Sequence, residues 1–261
     1  MSGPAPSVKL VVDDVGACLH RLFIGEASAG LRKEDIQKAH ELLPLLVQVA
    51  RLMVKKPGVF VDACAGKSAL GLVAAAMVLP TTWKLVVIER DPKRVLAARR
   101  AAEQLGHEVV VVEGDVHTTA IEKDAHIVAA LHACGPASDA VIDAAAAASA
   151  RHILLVPCCY GAHPANGDSG ISGQTASERF VDMLPRQGLV GRRFAQAMID
   201  AERTLRLEEH GYDVDVVEFV APTITPHNLL WRARRAGEPV RMSEAASRRR
   251  ALLGVDPPPT R

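Results

Sequence analysis

Five short apolar runs rich in β-branched residues alternate with helix-patterned segments through the first two thirds of the chain, and this alternation constrains the fold most. The runs lie within "GVFVDACAG", "WKLVVIERD", "HEVVVVEGD", "AHIVAALHACG" and "RHILLVPCCYG". The intervening stretches, such as "KSALGLVAAAMVL" and "PKRVLAARRAAEQLG", repeat apolar residues at helical spacing, with Pro92 at a start and Gly106 at a stop. Strands uninterrupted by polar residues belong to a sheet buried on both faces, and helical crossovers make neighbouring strands parallel. The expected fold is therefore α/β, a doubly wound sheet. Further on, "YDVDVVEFVAP" alternates with period two and "HNLLWRARR" can return beside it, so an antiparallel hairpin is expected to end the sheet.

The remaining segments set expectations for organisation. Lys33 to Val54 reads as a helix or helix pair with Pro44 as a kink or break, which makes residues 1–55 an N-terminal helical extension. Residues 56–240 form the main domain, with helical patterns at 176–187 and 192–210 after a Gly- and Ser-rich loop at 161–175. Residues 241–261 carry charge and proline with little core-forming potential, and are expected to be a basic, flexible tail in which a short helix fades into disorder.

Composition narrows the class. With 49% hydrophobic and 23% charged residues, the chain has the profile of a globular protein, and a net charge of +1 excludes a strong global field for phosphates. A local basic face around Arg232, Arg234, Arg235, Arg241 and Arg248 to Arg250 remains able to contact phosphate, although such runs are more often solvated. The N-terminus has no basic region followed by an apolar stretch, and the longest apolar segments are broken by charges, so a cytoplasmic location and no membrane contact are expected. The 5 cysteines read as thiols in such a compartment.

In a doubly wound sheet, ligands bind beyond the carboxyl ends of the strands, where the first strand-to-helix turn offers free amides. "VDACAGKSALG" occupies that place, with Gly66 and Gly71 permitting close approach and Asp62 offering a carboxylate. It lacks the glycine pattern of a dinucleotide fingerprint and the first glycine of a phosphate-binding loop. Glu89 ends the second strand, where an acid can accept hydrogen bonds from ribose hydroxyls. Asp115 follows the third, where an acid can reach a nucleobase amino group while Val116 covers the ring. Three successive acids make a poor phosphate site and a good site for a nucleoside without phosphates. The competing reading is that these acids cap helices.

"VDACAGKSALG", "LHACGPASD" and "VPCCYG" together resemble class I S-adenosylmethionine-dependent methyltransferases. Within that group, the resemblance is to the domain shared by eukaryotic methyltransferase-like proteins, the GST-C-terminal-domain-containing protein and, more distantly, a tRNA ribose 2′-O-methyltransferase family. It covers Lys33 to Arg235 and implies a Rossmann-like, mostly parallel seven-stranded sheet. It also implies that Asp62, Gly66, Glu89 and Asp115 bind S-adenosylmethionine, with Ala63, Cys64, Lys67, Arg90, Val116 and His132 as further cofactor contacts. Where the family's first motif commonly has glycine, this chain has Cys64 and Ser68.

The strand order of the family makes the fourth and fifth strands neighbours, so the His132 and Cys134 turn would face the Cys158 to Tyr160 turn. His132 and Tyr160 are candidates for orienting or deprotonating a methyl acceptor. Cys158, or Cys134, is a candidate nucleophile toward a pyrimidine ring. A metal site is the weakest reading because adjacent cysteines depart from the usual ligand spacing, and no metal is expected. Thiols also pack in crowded turns, which is the reading taken for Cys159, and Asn228 is read as a turn cap. The expected function is S-adenosylmethionine-dependent methyl transfer with RNA as the favoured acceptor. A small-molecule acceptor and a non-catalytic cofactor- or metal-binding interaction domain are the alternatives.

Overall fold

The computed structural model describes residues 10–24, 32–159 and 187–253. Seven strands form one sheet: β1 (Val59–Ala63), β2 (Lys84–Glu89), β3 (Glu108–Glu113), β4 (Ile127–Cys134), β5 (His152–Cys159), β6 (Tyr212–Glu218) and β7 (Leu229–Arg235). Their spatial order is β3-β2-β1-β4-β5-β7-β6. The first five are parallel, whereas β7 runs antiparallel to both β5 and β6. This is the doubly wound α/β sheet with a terminal hairpin that the apolar alternation predicts.

The helices are α1 (Val12–Phe23), α2 (Lys33–Leu52), α3 (Ala69–Met77), α4 (Pro92–Ala102), α5 (Pro136–Ala147), α6 (Gly188–Glu209) and α7 (Pro239–Leu253). Helices α1 to α4 cover one face of the sheet, packing Leu42, Leu46, Leu72 and Ala98 against Phe60, Leu85, Ile127 and Leu154. On the other face, Val141 and Ile142 of α5 and Leu207 of α6 meet Val61, Val128, Ile153 and Trp231. Alternate residues of the central strands thus enter different cores, as the two-residue period of a strand requires.

Pro44 does not split α2, which runs unbroken from Lys33 to Leu52. Leu42, Leu45, Leu46 and Val49 are buried on either side of the proline, so tertiary packing holds the helix together through the missing amide. Asp91 caps α4 by accepting from the amides of Lys93 at 2.8 Å and Arg94 at 3.2 Å, with Pro92 at the first helical position. The expected helix at 176–187 and the loop at 161–175 lie outside the described residues, save Gln187.

The short helix expected within the tail from residue 241 is present as the body of α7, which runs from Pro239 to Leu253. Ala245 is buried, and Arg249 reaches back to Glu202 at 2.7 Å and Glu209 at 2.9 Å on α6. Its helix is held by long-range ion pairs, a kind of support that charge content alone does not reveal. Among the described residues no helix is long and apolar enough to cross a membrane.

The turn between β4 and α5 is held from behind by Arg203 of α6. Its guanidinium, 1% exposed, donates to Asp139 Oδ1 at 2.8 Å and to the Gly135 carbonyl at 3.0 Å. Removing the carboxylate takes one charged acceptor from a buried guanidinium. Asp139→Ala is therefore expected to lower unfolding free energy by about 1–3 kcal/mol, read from the shift in urea midpoint.

Candidate functional site

The turn after β1 is built around a buried acid. Asp62 is 1% exposed, and its Oδ2 accepts from Ser68 Oγ at 2.7 Å and from the Gly71 amide at 2.8 Å. Burial is the dominant influence and pushes its pKa up to about 7, against the two hydrogen bonds, which favour the carboxylate. A Cβ on Gly71 would lie 2.9 Å from Asp62 Oδ2 and 2.8 Å from Ser68 Oγ, so this position has no room for a side chain. Asp62 shapes the turn from inside and does not present an open carboxylate to solvent.

Three residues of this turn have positive φ: Cys64 at 56°, Gly66 at 61° and Ser68 at 57°. Cys64 and Ser68, standing where glycine is common in the family's motif, thus adopt the left-handed backbone that glycine favours. Ser68 compensates through its bond to Asp62, and Cys64 through partial burial against the core of the α5 face.

Glu89 faces the turn from the end of β2. Its Oε2 accepts from the Gly66 amide at 2.6 Å, and its Oε1 accepts from the amides of Arg90 at 3.0 Å and Asp91 at 2.9 Å. Three of a carboxylate's roughly four acceptor positions are thereby used. Asp115 is more open, with a side chain 34% exposed, and takes the His117 amide at 3.0 Å and the Arg90 guanidinium at 3.3 Å. These contacts, headed by the His117 amide bond, hold its pKa below the usual carboxylate value. Val116 and Ala63 are buried, and Lys67 is exposed. Cys64 sits among Glu89, Asp115 and Asp62, and burial together with their negative charge pushes its thiol up to about 12. It is a neutral thiol at ordinary pH.

A second cluster forms where β4 meets β5. The register passes from Leu131↔Val156 to Ala133↔Pro157 and then to Cys134↔Cys159, which leaves His132 and Cys158 as the extra residues of two successive bulges. Without the first bulge, strand alternation would turn His132 toward the α5 face. With it, and with a φ of 62°, the imidazole points to α2, where Nε2 lies 2.9 Å from Glu41 Oε2. Cys158, 7% exposed, donates to the His132 carbonyl at 3.3 Å, and its Sγ lies 2.6 Å from Cys134 Sγ. Tyr160 lies outside the described residues. Among those residues no group of three or more His, Cys, Asp or Glu is placed to hold a metal ion.

Glu41 is the site residue that sequence reasoning missed. It is an acid on the buried side of an amphipathic helix, 5% exposed, and its partner is 91 positions away. Its only local signal is Lys38 one turn earlier, whose Nζ reaches the same Oε2 at 3.2 Å. Burial acts to raise the Glu41 pKa, but the His132 hydrogen bond and the charge of Lys38 outweigh it and hold the carboxyl below its ordinary value. Asn228 donates to the Val220 carbonyl at 3.0 Å, which makes it a brace of the turn before β7. The arginines of the candidate basic face are largely engaged: Arg232 pairs with Asp215, Arg234 and Arg241 with Asp213, and Arg248 with Glu244.

Two measurements test the turn. The folded pKa of Asp62 lies above the ordinary unfolded value of about 3.9, so the native chain binds the extra proton and its stability falls as pH rises from about 4 to about 7. Asp62→Asn is expected to flatten that slope, seen as a smaller difference between urea midpoints at about pH 5 and about pH 8. A Cβ on Gly66 meets nothing within 4 Å, so Gly66→Ala is expected to cost about 1 kcal/mol through its backbone alone. Cys64→Gly should keep stability within about 1 kcal/mol of wild type, because backbone relief offsets lost packing.

Several known proteins are similar to this chain. A Glutathione S-transferase C-terminal domain-containing protein from Bos taurus is 27% identical over 193 residues, covering 66% of this chain and 30% of the relative. A homologue from Drosophila melanogaster is 25% identical, covering 78% of this chain and 37% of its own length. The chain thus spans about a third of the length of these curated relatives. A solved SAM dependent methyltransferase from Aquifex aeolicus superposes with a TM-score of 0.44 at 12% identity, covering 86% of this chain and 97% of that one. A family described as a methyltransferase domain matches residues 32–163, from the start of α2 past the end of β5. That match takes in half of the chain and both clusters of the site, and the chain belongs to this methyltransferase-domain family.

Proposed function

We propose that the chain binds S-adenosylmethionine over the β1 and β2 ends and transfers its methyl group to a nucleophile held near His132. The observation that carries this reading is the left-handed turn at Cys64, Gly66 and Ser68 beside Glu89 and Asp115. The donor set suits the cofactor. The Cβ positions of Gly66 and Gly135 are open, and the acids can accept from hydroxyl and amino groups. Asp115 and Val116 would hold the base, the remaining acceptor position of Glu89 a ribose hydroxyl, and the Gly66 turn the chain between them. Asp62 serves by holding that turn in shape.

When bound, S-adenosylmethionine supplies a methyl group on a cationic sulfur. The protein's part is positioning and proton handling, which contribute much of the rate in such reactions. His132, bulged out at the carboxyl end of β4, is the group suited to take a proton from an acceptor. Cys158, with its thiol against Cys134 and the His132 carbonyl, is better suited to packing the bulge than to covalent catalysis.

RNA is the acceptor that the family resemblance favours. A small-molecule acceptor is favoured by the ion pairs of the C-terminal arginines, which remove much of the candidate phosphate-binding face. If RNA is the acceptor, incorporation of labelled methyl groups should vanish with ribonuclease and fall steeply with salt.

Calorimetric titration with S-adenosylmethionine and S-adenosylhomocysteine tests the cofactor reading. The expected result is a dissociation constant of about micromolar order, weakened about tenfold in Asp115→Ala, which removes a partly exposed side chain. A folded wild-type protein that binds neither compound would overturn the reading.

A further inference from the structure

We propose that Glu41 is a positioning residue: it fixes the His132 ring with Nε2–H toward α2, leaving Nδ1 as the lone pair that accepts the proton of the methyl acceptor. The inference rests on the methyl-transfer reading above and adds to it a residue from the N-terminal helices.

Four observations converge on this pair. His132 is the extra residue of a bulge and carries a φ of 62°, a left-handed backbone state that non-glycine residues rarely adopt. The bulge turns its ring away from the face that strand alternation assigns to it. The ring then meets a carboxylate that is 5% exposed, at 2.9 Å. An ionised carboxylate only accepts, so a neutral imidazole bonded to it carries its hydrogen on Nε2 and a lone pair on Nδ1.

Nδ1 is buried and has no hydrogen-bond partner among the described residues, while the side chain as a whole keeps 25% of its surface open. A purely structural ion pair gives no reason for the second nitrogen to be left without a donor, which is unfavourable when buried. A donor arriving with the substrate satisfies it. The proton leaves an O–H or N–H bond of the acceptor, the bonding pair stays on that atom as the nucleophilic pair, and Nδ1 becomes protonated. The resulting imidazolium faces the Glu41 carboxylate, which Lys38 keeps ionised from the same helix.

The other groups around the ring are His227, whose pKa burial and His132 both lower, and the Cys134 and Cys158 thiols at the strand ends. His227 is the neighbouring imidazole, so the site-resolved readout must separate its signals from those of His132.

The test is nitrogen-15 histidine NMR on the full chain, with His132 and His227 assigned through His132→Gln and His227→Gln. In the wild type, neutral His132 should show hydrogen on Nε2 and an unprotonated Nδ1. In Glu41→Gln the two neutral tautomers should mix, with S-adenosylhomocysteine affinity unchanged. Methyl transfer from labelled S-adenosylmethionine into total RNA or a metabolite extract should fall at least tenfold in kcat, while KM for S-adenosylmethionine holds. Glu41→Asp should restore part of the preference for hydrogen on Nε2.

A wild-type ring protonated on Nδ1, or a tautomer unchanged in folded Glu41→Gln, would overturn the proposal. The wild-type tautomer alone supports or overturns it even if Glu41→Gln does not fold. Failure of the wild type to bind S-adenosylhomocysteine is read separately and removes the methyl-transfer reading, not the Glu41–His132 pairing.

Discussion

A parallel sheet covered on both faces leaves its polar chemistry almost nowhere to go except the ends of its strands. Every interior position of β1, β4 and β5 must be apolar or fully bonded, because an unpaired polar group there costs several kcal/mol. Asp62 sits at this boundary. It is buried deeply enough that its carboxyl resists ionisation, and it is tolerated because Ser68 and Gly71 satisfy the same oxygen. The turn after β1 takes its shape from that arrangement, and Glu89 then takes the Gly66 amide from the neighbouring strand.

Irregularity is concentrated at the same end. The bulges at His132 and Cys158 come next to each other, and the second restores the pairing that the first displaces, as the Cys134↔Cys159 register shows. A bulge re-aims a side chain at the cost of local pairing. Here it places an imidazole against α2, on the face opposite the one its sequence position assigns. The close pairing of Cys134 and Cys158 answers why cysteines gather at these two strand ends: their thiols pack together, and both lie near the carbonyl that the bulge exposes.

Much of the fold was legible in the sequence because burial on both faces imposes long apolar runs, and period-two alternation marks a half-exposed hairpin. The turn after β1 was legible in position, since Asp62, Glu89 and Asp115 fall at successive strand ends. Their differing availability was not: Asp62 is buried, Glu89 is mostly occupied by amides, and Asp115 is open. Such distinctions depend on backbone amides converging from separate elements. Likewise, a short helix was legible in α7 but its docking was not, because the partners of Arg249 are supplied by α6, some 40 positions earlier.

The sequence by itself determined the order of elements, the sheet class and the end of the sheet at which the candidate ligand-binding groups gather, because these follow from periodicity and from where polar residues interrupt apolar runs. The tertiary structure alone decided that Cys64 and Ser68 take glycine-like backbone, that His132 leaves its strand parity and that Glu41 meets it. Each of these depends on register or on contact between residues distant in the chain, and a bulge of one residue reverses the facing that local alternation predicts.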